Sequence, residues 1–276
     1  MPRVEANGLT FQIVDDGPRD GEPVLLLHGF PDSSHMWREQ IPALTGAGFR
    51  VIAPDLRGYG ESDKPQEVEA YRMQTLVRDV VGILGEVDVS EANVVGHDWG
   101  AALAWSLAAS VPGMVKRLAV LAVGHPKAFF RALTRTSQGA RSWYMLFFQI
   151  PRFSEAVISR NDFAAFRRMA GRGVPDLEKE IADLSRPGAL TAALNWYRAN
   201  AKPWQRPQQD VPNVSAPTMG MWGSRDVALT ERQMVDSADY VDGPFRYERL
   251  EGAGHWMMLE RPGEVNDLLL EFLAKP

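Results

Sequence analysis

Val94-Val95-Gly96-His97-Asp98-Trp99-Gly100-Ala101 is the stretch from which the rest of the chain can be read. A β-branched run ends in Gly-x-Asp-x-Gly, and an alanine-rich helical segment, Ala101 to Ala109, follows at once. This is the strand–turn–helix context of a nucleophile elbow, the sharp turn that presents a reactive side chain above a sheet. Gly96 and Gly100 suit it because the turn brings strand and helix backbones close together. Serine is the usual central residue, and here it is Asp98. A carboxylate nucleophile attacks carbon and leaves an ester on the protein, so the substitution changes the class of reaction. The plainer reading of Asp98, a helix N-cap, leaves the flanking glycines unexplained.

Outward from the elbow, the chain alternates strand and helix. Asn7-Gly8 between two short strand patterns, Val4–Ala6 and Leu9–Val14, signals a two-residue hairpin. Pro23–His28, Arg50–Pro54, Ala92–Val95 and Val115–Val123 are apolar on both faces and read as buried strands. Helical spacing covers Ser34–Leu44 and Met73–Leu84. From about Pro126 to Arg206 the sequence is helical, with aromatics and arginines and no buried-strand run. Pro203, Pro207, Pro212 and Pro217 punctuate the return to strand at Ala216–Trp222, followed by a helix near Thr230–Tyr240, a strand at Phe245–Leu250 and a helix at Pro262–Leu273. The expected fold is α/β: a mostly parallel sheet of about eight strands, helices on both faces, and a helical insertion. Residues 1–125 and 209–276 form the core, and 126–208 form a helical cap over the sheet's carboxyl edge, where open α/β folds bind ligands.

Composition narrows the partners. The 276 residues carry a formal charge of −5 without basic clustering, which argues against nucleic acid or an anionic membrane. With no cysteine there are no disulfides, no thiol catalysis and no Cys-based metal site, which suits a cytoplasmic location. The N-terminus has no apolar core of signal-peptide length, and the apolar runs near Leu118–Val123 and Trp143–Phe148 are too short to span a bilayer. His35, His97 and His125 show no metal-ligand spacing, so no metal site is expected.

Three segments at strand ends complete a constellation. Trp222-Gly223-Ser224-Arg225-Asp226 offers Asp226 as the acid, and Gly252-Ala253-Gly254-His255-Trp256 offers His255 as the base. His28-Gly29-Phe30-Pro31 follows the third strand, so that the backbone N–H groups of Phe30 and Trp99 would form an oxyanion hole. His28 organises that loop, and whether Phe30–Pro31 is cis stays open.

These motifs, with Asp55-Leu56-Arg57-Gly58-Tyr59-Gly60-Glu61-Ser62-Asp63, resemble the epoxide-hydrolase branch of the α/β-hydrolase superfamily over essentially the whole chain. The order nucleophile, acid, base is that of the superfamily. Ser142-Trp143-Tyr144-Met145-Leu146-Phe147-Phe148-Gln149 and Leu194-Asn195-Trp196-Tyr197-Arg198 resemble the family segments that carry two cap tyrosines, which implies that Tyr144 and Tyr197 hydrogen-bond the epoxide oxygen. Ala101 departs from the third glycine of many relatives but is still small.

The resemblance implies ring opening by Asp98, proton donation by Tyr144 and Tyr197, and hydrolysis of the Asp98 ester by water that His255 activates and Asp226 orients. The substrate would be a small hydrophobic epoxide, with Trp99, Phe147 and Phe148 among its binding residues; Met169 and Leu177 are further candidates for the cap lining. Haloalkane dehalogenase is the nearest rival, sharing the aspartate, the tryptophan and the base; Phe30 in place of asparagine and the paired tyrosines disfavour it. Fluoroacetate dehalogenase is disfavoured by Trp99 where an arginine is needed, and a serine-type esterase by Asp98 itself. A non-catalytic binder on this fold is disfavoured by the intact triad positions. A homodimer through exposed cap aromatics is left open.

Overall fold

Asn7 and Gly8 both have positive φ, 48° and 77°, the backbone that a two-residue hairpin between β1 (Arg3–Ala6) and β2 (Leu9–Asp16) requires. β3 (Pro23–Leu27), β4 (Arg50–Pro54), β5 (Ala92–His97), β6 (Val115–Leu121), β7 (Thr218–Gly223) and β8 (Phe245–Leu250) complete one eight-stranded sheet, in the order β1-β2-β4-β3-β5-β6-β7-β8. Among the described residues only the β1–β2 and β2–β4 pairs are antiparallel. The computed structural model describes residues 2–170, 174–201 and 211–274.

The double-faced apolar strands explain the layers. Alternate residues point to opposite faces, so Val24, Leu26, Val95, Ala119 and Leu121 join one core. Leu25, Leu27, Val94, Leu118 and Val120 join the other. α1 (Gln40–Gly46) and α12 (Pro262–Leu273) cover the first face, through Leu44, Leu269 and Leu273. α2 (Met73–Glu86) and α3 (Trp99–Ser110) cover the second, through Val80, Ile83, Leu103 and Leu107.

Two helices differ from the sequence expectation. Ser34–Leu44 divides into a 3₁₀ turn, Ser34–Trp37, and α1. Pro42 lacks an N–H, and its ring would collide with the carbonyl of residue 38 in a continuous helix, so it falls instead in the first turn of a new one. Thr230–Tyr240 divides into α10 (Glu231–Val235) and a 3₁₀ turn, Asp236–Tyr240; α11 (Met257–Glu260) follows β8. There the Ser237 hydroxyl donates to Gln233 O (2.8 Å), taking up the carbonyl that an α-helix would pair with the backbone of residue 237. β6 stops at Leu121 because Ala122 turns the chain with φ 69°.

After β6 come α4 (Pro126–Arg135), α5 (Gln138–Arg141), α6 (Trp143–Phe148), α7 (Phe153–Ala170, broken by non-helical backbone at Arg160–Phe163), α8 (Leu177–Leu184) and α9 (Ala189–Asn200). α9 is tied to the loops that follow β4. Trp196 Nε1 donates to Arg57 O (3.0 Å), Asn195 Nδ2 to Gln66 O (3.0 Å) and Asn200 Nδ2 to Tyr71 O (2.7 Å). The expected end of the helical insertion at 208, with Pro203 and Pro207, lies outside the described residues. Among the described residues no helix is long and apolar enough to cross a membrane.

Candidate active site

Asp98 occupies the turn between β5 and α3 with φ 50° and ψ −120°. The turn is tight: a Cβ on Gly100 would lie 2.1 Å from Leu27 O, so only glycine lets α3 start there. Asp98 sits at the N-cap position but makes no side-chain cap bond to α3. Its Oδ1 accepts the backbone N–H of Phe30 (2.9 Å), and the nearby Trp99 N–H helps to lower its pKa. The same geometry explains Gly29, where a Cβ would lie 2.4 Å from that of Asp98. Burial raises the Asp98 pKa, against the lowering effect of His255 and the two N–H groups.

His28 builds the loop that supplies Phe30. Its Nε2 accepts the Leu56 N–H (2.9 Å) and its Nδ1 faces Gly29 O (3.0 Å), while burial lowers its pKa to about 4 and keeps it neutral. The Phe30–Pro31 peptide bond is cis.

His255 lies between two carboxylates. Its Nδ1 meets Asp226 Oδ2 at 2.8 Å, and its Nε2 stands 3.8 Å from Asp98 Oδ2. Asp226 also anchors its own loop, since Oδ1 accepts the N–H groups of Ala228 and Leu229 (both 2.8 Å). Asp226 thus holds its own turn with one oxygen and orients His255 with the other. Burial pulls the His255 pKa down, but Asp226, Asp98 and Asp32 outweigh it and raise the value to about 9.

Tyr144 on α6 and Tyr197 on α9 both line a cavity of about 70 Å³ that Asp98 and Trp99 also line. Their ring centroids are 6.0 Å apart, and Trp99 packs edge-on to Tyr197 at 5.0 Å. Burial, reinforced by the charge on Asp98, raises both phenols above their ordinary pKa, so both are protonated at neutral pH. Arg198 fixes α9 beside them by donating to Phe148 O (2.9 Å), Ser154 Oγ (2.9 Å) and both oxygens of Glu155 (2.6 and 2.9 Å).

Phe147 and Phe148, expected to touch substrate, do not line this cavity. Phe148 is buried behind the tyrosines, with ring centroids 5.6 Å from Tyr144, 4.9 Å from Tyr197 and 5.9 Å from Phe30. Phe147 turns toward Trp143 (6.5 Å) and Phe153 (6.2 Å) on the outer side of α6. Met145 takes their place in the lining. Leu177 does not line it either, and the Met169 side chain lies outside the described residues.

Several groups at the site carried no sequence signal. His97 Nε2 donates to His255 O (3.0 Å), and burial holds its pKa well below the ordinary value. Asp32 accepts the Trp256 indole N–H (2.9 Å); burial raises its pKa to about 7, with the charge on Asp98 adding to the rise against the Trp256 bond. α5 clamps the Asp226 loop: Arg141 Nη1 donates to Asp226 O (2.7 Å), and Gln138 Oε1 accepts the Thr230 N–H (2.8 Å). Among the described residues no cluster of three or more His, Asp or Glu could hold a metal ion.

Residues 22–262 match the family described as the alpha/beta hydrolase fold. Epoxide hydrolase A of Mycobacterium tuberculosis is 34% identical, over 98% of this chain and 96% of its own. The AB hydrolase superfamily protein YfhM of Bacillus subtilis is 36% identical, over 98% and 96%. The crystal structure of epoxide hydrolase A from Mycobacterium thermoresistibile superposes with a TM-score of 0.86 at 34% identity, covering 99% of this chain and 97% of that one. An aspartate at the elbow, its histidine partner and two tyrosines lining one cavity thus accompany full-length similarity, and the chain belongs to the α/β-hydrolase family, in the branch that holds the epoxide hydrolases.

Proposed function

We propose that this protein opens an epoxide to a vicinal diol through an ester on Asp98. The observation that carries the reading is the division of labour between the two Asp98 oxygens. Oδ1 is held by Phe30 N–H, and Oδ2 lies free of that bond on the side of His255. Oδ2 attacks a ring carbon, the C–O bond breaks, and the departing oxygen takes a proton from Tyr144 or Tyr197. Water then attacks the ester carbonyl carbon while His255 Nε2 accepts its proton. The negative charge gathers on Oδ1, where the N–H groups of Phe30 and Trp99 await it. Collapse expels the second diol oxygen, which takes the proton from His255. The proton left on the Asp98 carboxyl returns to the tyrosinate, and the site is restored. No cofactor enters these steps.

Residues 126–208 act as a cap that delivers Tyr144 and Tyr197 and keeps the chamber apolar. The ligand is a hydrophobic epoxide that contacts Trp99 and Met145, and the hydrolytic water is the second reactant. The location that suits the cysteine-free chain is the cytoplasm.

The test is a single-turnover reaction in ¹⁸O-water with enzyme in excess over styrene oxide. Unlabelled diol and label in the Asp98 peptide are expected. Labelled diol would mean direct attack by water and would overturn the role of Asp98. Halide release from haloalkanes without any diol would replace the epoxide with the dehalogenase reaction. Tyr144→Phe and Tyr197→Phe should each slow ring opening, and together by roughly 10²–10⁴-fold, the range of a general acid. Normal pre-steady-state ester formation in the double variant would remove the tyrosines from the mechanism.

A further inference from the structure

The large apolar side chains that the fold leaves in water are not scattered. Among the described residues six are exposed, and four of them lie close together: Trp143 (54%), Leu146 (55%), Ile150 (49%) and Phe153 (55%). Positions 143, 146 and 150 share the outer face of α6 and the turn that ends it. Phe147, half-buried, joins Trp143 to Phe153 through its ring contacts, so the ridge is continuous. Tyr144 and Met145 reach the reactive cavity from the other side of the same helix. A contiguous apolar patch of this kind marks a contact surface, where a lone exposed side chain would not.

The charge around the ridge has one sign. Residues 126–153 contain Lys127, Arg131, Arg135, Arg141 and Arg152 and not one Asp or Glu, in a chain that carries −5. Lys127, Arg131 and Arg135 line one surface recess together with Leu146, and Arg152 lies between Ile150 and Phe153. Two of the five are occupied: Arg131 by Asp239 (2.8 Å) and Asp236 (3.0 Å), and Arg141 by the carbonyls of Asp226 and Leu229. Lys127, Arg135 and Arg152 have no carboxylate partner among the described residues, and Glu155, the nearest acid along the chain, is taken up by Arg198 (2.6 Å). Net charge argues against an anionic membrane for the chain as a whole. The cations of α4, however, stand four residues apart and leave no run in the sequence; only the fold brings them beside α6.

We infer that this face of the cap is a docking surface for an anionic lipid bilayer. Trp143, Leu146, Ile150 and Phe153 enter the boundary between headgroups and acyl chains, and Lys127, Arg135 and Arg152 meet the lipid phosphates. A second copy of this chain suits the face less well. A two-fold contact sets the same patch of both subunits together, which here apposes cations with no carboxylate in residues 126–153 to pair them. The attachment is peripheral, since among the described residues no helix can cross a bilayer. It does not depend on the reaction proposed above.

The experiment is co-sedimentation of the whole protein with vesicles of phosphatidylcholine, alone or with phosphatidylglycerol, at low and high salt. Binding to the anionic vesicles should exceed binding to the neutral ones by roughly tenfold or more, a fraction of what three Lys or Arg side chains contribute at such a surface. Salt should erode that preference, and Lys127→Glu/Arg135→Glu should remove it. Trp143→Ser/Phe153→Ser should weaken binding to the anionic vesicles by roughly tenfold or more, through lost apolar burial. An unchanged unfolding temperature would show each variant folded. Should one fail to fold, lipid brominated near the headgroups decides: it should quench part of the wild-type tryptophan emission, and the conservative Trp143→Phe should remove that quenching. Equal binding to both kinds of vesicle, a preference indifferent to salt, or binding that survives both double variants would each overturn the inference. A dimer in analytical ultracentrifugation that Trp143→Ser/Phe153→Ser dissociates, without vesicle binding, would give the face to a second copy instead.

Discussion

Asp98→Asn is expected to abolish turnover, by on the order of 10⁵-fold or more, the scale on which covalent nucleophiles of triads matter. An amide oxygen is a poor nucleophile toward carbon, and no ester can form. The fold should survive. Burial raises the Asp98 pKa, which means the folded protein holds the ionised carboxylate at a disadvantage, so a neutral isostere relieves that disadvantage. Asparagine also tolerates positive φ better than most residues, and Asp98 has φ 50°. Thermal unfolding should therefore occur at an unchanged or higher temperature while diol formation disappears. Deamidation would regenerate aspartate, so intact-mass and peptide analysis must accompany the assay, with Asp98→Ala as a second variant. Near-wild-type turnover in deamidation-free protein would end the covalent mechanism.

How much of this was readable in advance depended on the range of the interactions. The elbow was legible because its cause is local: Gly96, Asp98 and Gly100 meet the steric needs of one turn. The layered sheet was legible because Val24–Leu27, Val94–Val95 and Leu118–Leu121 are apolar at consecutive positions, which only a strand covered on both faces requires. Pro262 marks the first residue of α12 for an equally local reason, its missing N–H. The facing of α6 was not legible. Trp143-Tyr144-Met145-Leu146-Phe147-Phe148 has no polar side, so periodicity could not tell that Tyr144 and Met145 point to the cavity while Phe147 turns away. The supports of the triad were hidden by distance along the chain. Gln138 meets Ala228 across 90 residues, His97 meets His255 across 158, and Trp256 meets Asp32 across 224. Nothing local distinguishes those side chains from ordinary polar residues. The resemblance to a family located Tyr144 and Tyr197, because aromatic residues on a helix are more often packing than chemistry.

One charge links the two halves of the proposed reaction. The Asp98 carboxylate helps to raise the pKa of Tyr144, Tyr197 and His255 alike. Ester formation extinguishes that charge. At that moment the phenols become stronger acids, as the ring oxygen departs and needs a proton. His255 becomes easier to deprotonate, as water needs a base. In the free protein, with a pKa raised to about 9, His255 holds a proton at neutral pH; it releases that proton to solvent once the ester has formed, before it serves as base, and takes one up again when the Asp98 carboxylate is restored.

His255→Gln should therefore separate the halves. Ring opening by Asp98 requires no base, so a stoichiometric burst of ester is expected, with its decay slowed by roughly 10²–10⁴-fold, the contribution of a general base. Mass spectrometry of the quenched variant should find the Asp98 peptide carrying the mass of the substrate. In the wild type, single-turnover decay of the ester should rise with pH as His255 loses its proton. The midpoint should fall below about 9, because the ester has removed the Asp98 charge that contributes to that value in the free protein. The same raised pKa predicts a stability change of definite sign. A histidine that binds its proton more tightly when folded stabilises the fold fully below its unfolded value, about 6.5, and that contribution disappears as pH rises through about 9. The unfolding temperature of the wild type should fall across that window, and His255→Gln should flatten the part of the fall that His255 causes. Ester decay independent of pH, or equally fast in the glutamine variant, would remove His255 from the hydrolytic step.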